Sequence, residues 1–351
     1  MRTRTTISAI DLFCGTGGLS LGLQQGGVRV VAGIDNAASC KYPYTHNIKA
    51  KFIKRSVCDV KKTDLEALWG KSKTRLLAGC APCQPFSSQR RGMDTSNEKS
   101  WPLLLEFGRL VTETKPDYVT MENVPRLKSS SVFQQFVSTL ETSGYKVRYA
   151  VLYGPDYGLP QQRRRLVLIA GLGKDISMPS RQIEKGKYKT VSDAIRDLPE
   201  LKAGQHDQDD SLHFARALSP LNLKRLEASR PGGTWMDWPE ELRLECQKKK
   251  SGATFKSFYG RMEWDKPSPT ITTQAYNPGT GRFTHPEQNR GLTLREASRL
   301  QGFPDSFVFT APDEPITFTN VGRLIGNAVP PAFGKAIAKQ IMDTERKQVK
   351  Q

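Results

Sequence analysis

The stretch DLFCGTGGLSLG (11–22) follows the apolar run ISAI (7–10) and joins a predicted strand to a predicted helix. Glycines in such a turn let a ligand approach backbone amides at the N-terminus of the helix. The turn differs from the dinucleotide fingerprint, because the third glycine after Gly15 and Gly17 would fall on Ser20. Many α/β proteins carry glycines here only to turn the chain, so the stretch alone is weak support for a ligand.

Short apolar runs alternate with amphipathic segments through the first half of the chain, which is typical of a parallel sheet with helical crossovers. The predicted strands are 7–13, 28–34, 74–79, 116–122, 145–153 and 164–170. The predicted helices lie near 18–26, 63–70, 101–114 and 131–143. The predicted fold class is therefore α/β.

After about residue 172 the regular pattern disappears, and helical patterns return only at 292–303 and 330–343. Between these parts the chain is rich in Gly, Pro, Trp and charged residues. We predict a main domain over 1–172 plus 318–351, and a second, smaller, mostly irregular or β domain over 173–317.

Composition narrows the class of protein. The 351 residues carry a formal charge of +18, which favours a nucleic-acid partner over a protein that merely happens to be basic. No apolar run approaches the roughly 20 residues of a membrane-spanning helix, and the basic N-terminus lacks a signal-peptide core. We expect a cytoplasmic protein whose six cysteines are free thiols.

Two acidic residues follow predicted strand ends. Asp35 lies about 20 residues beyond the glycine-rich turn, where such folds place a ribose-binding carboxylate, and Asp59 lies at the next strand end. Each alone is typical of a surface carboxylate. Together with the turn, they favour a cofactor that carries a nucleoside.

The stretch GCAPCQPFSSQRRG (79–92) raises the question of what Cys83 does. Zinc needs about four ligands, whereas Cys80 and Cys83 form a single pair and the four histidines are scattered. A redox pair would need a thioredoxin-like setting, whereas this pair follows a late strand. A buried filler is the commonest role of a cysteine, but a polar, proline-bound loop fits it less well. The context favours an exposed thiol activated as the thiolate by positive charge, and no metal site is expected.

Six blocks of sequence stand out in a fixed order. They are DLFCGTGGLSLG (11–22), PCQPFS (82–87), MENV (121–124), QQRRRLVLIA (161–170), LTLREASRLQGFPDSF (292–307) and IGNAVPPAFGKAIA (325–338). This ordered set resembles the DNA cytosine-5 methyltransferase family over nearly the whole chain, with only about 172–265 lacking a family motif. Each block alone is a modest signal, whereas the ordered set is highly specific.

The resemblance implies a covalent mechanism, because carbon 5 of cytosine is a poor nucleophile until a thiolate adds to carbon 6. Cys83 would be that nucleophile. Glu122 would form a hydrogen bond to the Watson–Crick edge of the cytosine and protonate ring nitrogen 3. Arg165 would orient the base and stabilise the adduct, and Arg163 would support the site. Taken singly, Glu122 also fits a helix start, and the arginines fit a solvated strand edge.

The resemblance also implies a Rossmann-like sheet that binds S-adenosylmethionine as methyl donor. Phe13, Gly15 and Gly17 would line its methionine side. Asp35 would hold the ribose and Asp59 the adenine amino group. The other implied pocket residues are Asn36, Val60, Pro82, Leu103, Asn327 and Ala328. Many family members carry a large apolar residue where this chain has Asn36, so the adenine contact there departs from the family.

Double-stranded DNA is the implied substrate, and its target base must leave the stack, which costs a few kcal/mol. Ser87, Arg90 and Arg91 can contact phosphates, and Thr272 matches a family threonine near the DNA backbone. Sequence choice is expected within 172–290, in a target-recognition domain. The other implied features are a restriction endonuclease acting on the same site, a monomeric state and a bacterial, nucleoid-associated location.

Two other functions fit part of the sequence. One is an RNA cytosine methyltransferase of the same fold, but the tRNA-specific relatives carry a Cys-Phe-Thr element that this chain lacks. A DNA-binding regulator without catalysis would be expected to have lost Cys83, Glu122 or Arg165, and all three are present.

Overall fold

The computed structural model describes residues 6–82, 101–249 and 256–348. The chain divides into two compact units. The first, here called the sheet unit, comprises Met1–Tyr157, Arg164–Gln182 and Ala328–Gln351, and the second unit comprises Gly158–Arg163 and Ile183–Asn327. These limits differ from the predicted domain boundaries, because 158–163 and 318–327 belong to the second unit and 173–182 to the sheet unit.

Across the described residues, seven strands of the sheet unit form one sheet. They are β1 (Ile7–Leu12), β2 (Arg29–Asp35), β3 (Lys51–Lys54), β4 (Thr74–Gly79), β5 (Tyr118–Asn123), β6 (Tyr145–Tyr153) and β7 (Arg164–Leu172). Their order is β3-β2-β1-β4-β5-β7-β6. The first five strands are parallel, which confirms the predicted α/β class, but β7 is antiparallel to both β5 and β6. The segment 154–163 between β6 and β7 is too short for the crossover that a parallel pair needs.

Helices of the sheet unit are α1 (Gly18–Gln25), α2 (Lys41–Ile48), α3 (Lys62–Trp69), α4 (Trp101–Thr114), α5 (Ser131–Thr142) and α11 (Pro331–Gln348). Helices of the second unit are α6 (Val191–Ile195), α7 (Pro220–Glu227), α8 (Glu245–Lys248), α9 (Leu294–Gln301) and α10 (Phe318–Asn327). In the part of the chain that the structure describes, none of these helices has the length and apolar character needed to cross a bilayer.

Two layers of helices cover the sheet. On one face, Phe107 of α4 and Phe136 of α5 join a buried cluster with the strands and α3. On the other, Leu23 of α1 and Ile337 of α11 join a second cluster with α2. Each such side chain contributes about 1.5–3 kcal/mol when fully buried. Because both faces are covered, β1, β4 and β5 are buried along nearly their whole length rather than at alternate residues.

Glycines let α1 and α11 approach closely. A Cβ added at Gly22 would lie 2.1 Å from the carbonyl oxygen of Pro331, and one added at Gly334 would lie 2.6 Å from that of Leu19. A Cβ at Gly18 would similarly lie 2.1 Å from the carbonyl oxygen of Val329. Two glycines of the opening stretch therefore serve helix packing, and they seat the C-terminal helix beside the glycine-rich turn.

The prediction omitted α2 and β3. The α2 sequence KYPYTHNI contains Pro43 and has no apolar stripe, so its helical pattern is weak. The four-residue strand KFIK lies at the sheet edge, where lysines commonly protect against pairing with other chains. Both elements form because the neighbouring strands and helices supply the packing.

The second unit is irregular, as predicted. Its described residues contain short helices and isolated β-bridges, so the expected β content is limited to single bridges. Trp235 and Trp238 are buried, whereas Trp264 is partly exposed. The buried guanidinium of Arg261 donates hydrogen bonds to the carbonyl oxygens of Leu226, Ser229, His285 and Gln288. Polar contacts of this kind replace a sheet in holding the segments together.

Candidate active site

The order of strands changes direction between β1 and β4. From β1 the chain continues to β2 and β3 on one side, and it then returns to β4 on the other. Loops that leave adjacent strands at such a point diverge and open a crevice, where α/β sheets bind ligands. The Cys80 amide donates a hydrogen bond to the carbonyl oxygen of Leu12, with a distance of 3.3 Å. This bond holds the segment after β4 beside the glycine-rich turn after β1.

The glycine-rich turn has a left-handed backbone at Phe13 (φ 56°), Gly15 (φ 52°) and Gly17 (φ 97°). A Cβ at Gly17 would lie 2.8 Å from Cγ1 of Ile48, so both packing and conformation require glycine there. A Cβ at Gly15 would have no neighbour within 4 Å. Gly15 therefore borders open space, which leaves room for a ligand.

Asp35, the last residue of β2, is bonded to this turn. Its Oδ2 accepts a hydrogen bond of 2.9 Å from the Gly15 amide, and its Oδ1 accepts one of 2.8 Å from the Ala37 amide. A carboxylate has about four acceptor sites, so both oxygens can still accept from ribose hydroxyls. The neighbouring Asn36 is exposed.

Other residues of the predicted cofactor pocket come from several segments of the sheet unit. Asp59 is exposed at the end of a short 3-10 turn after β3, and the next residue, Val60, is buried. Leu103 is half-buried in the first turn of α4, and Pro82 is exposed after β4. Ala328 is buried at the start of the last segment of this unit.

Glu122 and Arg165 meet across β5 and β7. The antiparallel register pairs Glu122 with Val167, which brings the start of β7 beside the end of β5. Nε of Arg165 lies 3.1 Å from Oε1 of Glu122, and the two side chains are 14% and 3% exposed. Low exposure strengthens the attraction between them. The structure thus brings together two of the predicted catalytic residues, although their roles stay predictions.

The Cys80 side chain also contacts Glu122. Backbone pairing of β4 with β5 ends where Gly79 lies opposite Met121. One residue further on, the Cys80 thiol donates a hydrogen bond to Oε2 of Glu122, with a distance of 3.1 Å. The carboxyl group therefore has the Arg165 guanidinium at one oxygen and a thiol at the other.

Asn123 makes the next contact along the same pair of segments. Its Nδ2 donates to the carbonyl oxygen of Ala81 at 3.0 Å, and its Oδ1 accepts from the Val124 amide at 2.8 Å. The segment that leads toward the predicted nucleophile is thereby anchored to MENV. The predicted site residues Cys83, Ser87, Arg90 and Arg91 lie outside the described residues.

Arg163, Thr272 and Asn327 belong to the second unit. Nη1 of Arg163 donates to the carbonyl oxygen of Ile271 at 3.0 Å, and Nη2 donates to that of Gly326 at 3.5 Å. Thr272 and Asn327 are exposed. Arg163 therefore joins two backbone segments of the second unit, and its predicted support of the site stays a prediction.

Sequence reasoning predicted neither the burial of Asp11 nor the contact between Cys80 and Glu122. Asp11 is buried in β1, where its Oδ2 accepts a 2.7 Å hydrogen bond from the hydroxyl of Ser20, which lies 2.9 Å from that of Tyr44. Burial raises the pKa of Asp11 to about 7. An acid within the apolar run ISAIDLF, and a second cysteine three residues before Cys83, were the available signals.

Comparison with known proteins identifies the family of this chain. The model of the C-5 cytosine-specific DNA methylase family matches residues 7–343. The chain is 49% identical over 337 residues to the type II methylase M.HgiDII of Herpetosiphon aurantiacus, covering 95% of this chain and 94% of that protein. It is 32% identical over 347 residues to the type II methyltransferase M1.HphI of Haemophilus parahaemolyticus, covering 96% and 87%.

A solved structure supports the fold. The methyltransferase EhMeth of Entamoeba histolytica superposes with a TM-score of 0.67 at 18% sequence identity, covering 99% of this chain and all of that one (100%). At this identity the likeness concerns the fold alone. The family match over nearly the whole chain shows that the protein belongs to the C-5 cytosine-specific DNA methylase family and is a DNA cytosine-5 methyltransferase.

Proposed function

We propose that this protein transfers a methyl group from S-adenosylmethionine to carbon 5 of a cytosine rotated out of double-stranded DNA, within one short recognition sequence. The observation that carries the proposal is the buried Glu122 between Arg165 and Cys80 at the carboxyl ends of β4 and β5. A buried carboxyl group can protonate a pyrimidine ring, and a guanidinium beside it can hold the ring in place.

The chain's own residues would act in sequence. The Cys83 thiolate forms a bond to carbon 6, which breaks the double bond between carbons 5 and 6. Glu122 delivers a proton to ring nitrogen 3 and so neutralises the negative charge that the addition places on the ring. The permanently charged Arg165 orients the base and stabilises the adduct. After carbon 5 has taken up the methyl group, water removes the proton of carbon 5 and nitrogen 3 returns its proton to Glu122. Cleavage of the sulfur–carbon bond then restores the Cys83 thiolate and the aromatic ring.

The glycine-rich turn fits S-adenosylmethionine, because Gly15 borders open space and Asp35 lies against the turn. The cofactor supplies an electrophilic methyl group when bound. Asp35 would hold the ribose hydroxyls, and the exposed Asp59 would accept from the adenine amino group. Asn36 is polar and exposed, so it offers no apolar cover for the adenine.

The charge of +18 supports binding to the phosphates of duplex DNA. Sequence choice would reside in the second unit, whose exposed Thr272 would contact the DNA backbone. The protein would act as a monomer in the bacterial cytoplasm, associated with the nucleoid. The type II names of two relatives suggest a restriction endonuclease with the same recognition sequence as a partner.

Expression in a bacterial host that lacks cytosine methylation, followed by bisulfite sequencing of its DNA, tests the proposal. We expect cytosines resistant to conversion at one short motif, and none in a matched strain that expresses Cys83→Ser. Unmodified DNA with methylated RNA would favour an RNA enzyme. Unmodified DNA and RNA, from a folded protein that binds duplexes, would favour a regulator.

A further inference from the structure

Cys80 is a thiol at the active site that the mechanism above does not use. We propose that Cys80 is a positioning residue, which holds the carboxyl group of Glu122 in the orientation needed to deliver a proton to the cytosine ring. The inference rests on the proposed function, because it concerns the step in which Glu122 acts.

Each oxygen of the Glu122 carboxyl group has a contact of its own. Sγ of Cys80 lies 3.1 Å from Oε2, and Nε of Arg165 lies 3.1 Å from Oε1. The terminal torsion of a glutamate side chain has a broad, roughly two-fold profile, so one contact would leave the carboxyl plane loosely defined. A neighbour at each oxygen restricts that rotation.

The backbone determines where the Cys80 thiol lies. Its amide bonds to the carbonyl oxygen of Leu12 at 3.3 Å, immediately beyond the last backbone pairing of β4 with β5. The next residue, Ala81, is held by the side chain of Asn123 at 3.0 Å. Hydrogen bonds to β1 and from β5 therefore fix the backbone at Cys80 and Ala81, and this fixes the position of the Cys80 thiol.

A thiol suits a carboxyl group that changes its protonation state. It is a weak donor toward the charged carboxylate, and its sulfur is a weak acceptor when the carboxyl group carries the proton. The contact can thus persist before and after proton delivery. Glu122 is only 2% exposed. Without the Cys80 thiol, its Oε2 would lose a hydrogen-bond donor.

Three variants test this role: Cys80→Ala and Cys80→Val, which remove the donor, and Cys80→Ser, which keeps it. The matched control is Cys246→Ala, because Cys246 is exposed in the second unit. The readouts are the rate of covalent adduct formation with a duplex containing 5-fluorocytosine in the target motif, the KM for DNA and the thermal midpoint. We expect the alanine and valine variants to form the adduct about tenfold more slowly, as loss of one hydrogen bond to a charged group implies.

In the same experiment the serine and control variants should stay within about twofold of the wild type, and the KM for DNA should not change. Adduct formation at the wild-type rate in both Cys80→Ala and Cys80→Val would overturn the inference. So would equal slowing in all three Cys80 variants together with a raised KM, because that pattern indicates packing alone. A wild-type protein that neither forms an adduct nor methylates DNA would overturn the proposed function itself.

Discussion

Arg165 lies beside Glu122 because β7 runs antiparallel to β5. The antiparallel direction places the first residues of β7 at the same sheet edge as the last residues of β5. In a parallel β7, the arginines of QQRRR would lie at the opposite edge, away from MENV. The reversed direction of β7 among the described strands is therefore what assembles the candidate catalytic pair.

The charge of Glu122 can be changed with little change of shape. Glu122→Gln keeps the volume but removes the transferable proton, so we expect methyl transfer to fall by about 10²–10⁴-fold. The measurement is single-turnover transfer of labelled methyl groups to duplex DNA that carries the recognition motif. Glu113→Gln, on the exposed side of α4, is the control. Residual activity within tenfold of the wild type would rule out Glu122 as the proton donor.

Asp35 links the glycine-rich turn to the predicted ribose site. In Asp35→Asn, an NH₂ group replaces one carboxylate oxygen. The side chain can then no longer accept the hydrogen bonds of both the Gly15 amide and the Ala37 amide. We expect the Kd for S-adenosylmethionine to rise by about tenfold or more, since a hydrogen bond to a charged group contributes roughly 1.5–3 kcal/mol. Isothermal titration calorimetry measures this, with the exposed Asp175→Asn as control. An unchanged Kd would place the ribose elsewhere.

The contact between α1 and α11 can be tested by stability. In Gly22→Ala the new Cβ would overlap the carbonyl oxygen of Pro331 at 2.1 Å, so the helices must separate at a cost of about 1–3 kcal/mol. Gly108→Ala is the matched control in α4, because its Cβ would make an ordinary 3.4 Å contact with Phe136. Urea denaturation should show a lower midpoint for the first variant only. Equal midpoints would mean that the helices do not pack as closely as described.

The protonation of Asp11 predicts a pH dependence of stability. Burial raises its pKa from 3.8 to about 7, with Ser20 opposing the shift and Asp35 adding to it. Between these two pKa values the folded protein retains a proton that the unfolded chain has lost. The contribution of Asp11 to the free energy of unfolding therefore falls as the pH rises from about 4 to 7. The slope is up to roughly 1.4 kcal/mol per pH unit. In Asp11→Asn that slope should be absent. An identical pH dependence in both proteins would show that Asp11 is ionised in the fold.

The sequence predicted the elements whose pattern is local. The apolar run of β1, the glycines after it and the apolar stripe of α5 are each visible within a short window, and all three elements form close to their expected limits. It missed β3 and α2, because tertiary packing rather than local pattern holds them in place. The reversal of β7 was also missed, because strand direction depends on the length and course of the segment before it.

Part of the candidate site could be predicted and part could not. Glu122 and Arg165 were predicted from family blocks, and Asp35 was predicted from its position about 20 residues beyond the glycine-rich turn. No pattern in the sequence shows that Asp35 accepts hydrogen bonds from the amides of Gly15 and Ala37. Cys80 was considered only as a partner of Cys83, since its contact with Glu122 depends on the register of β4 and β5. Arg163 stands two residues from Arg165, but its guanidinium bonds to backbone of the second unit.

The covalent step is the centre of this account, and one measurement addresses it directly. The protein is incubated with S-adenosylmethionine and a duplex that carries 5-fluorocytosine at the methylated position, and the modified peptide is identified by mass spectrometry. We predict a stable protein–DNA adduct attached through Cys83 and absent from Cys83→Ser. Attachment through another residue such as Cys80, or efficient methylation of normal DNA with no adduct on the fluorinated duplex, would contradict it.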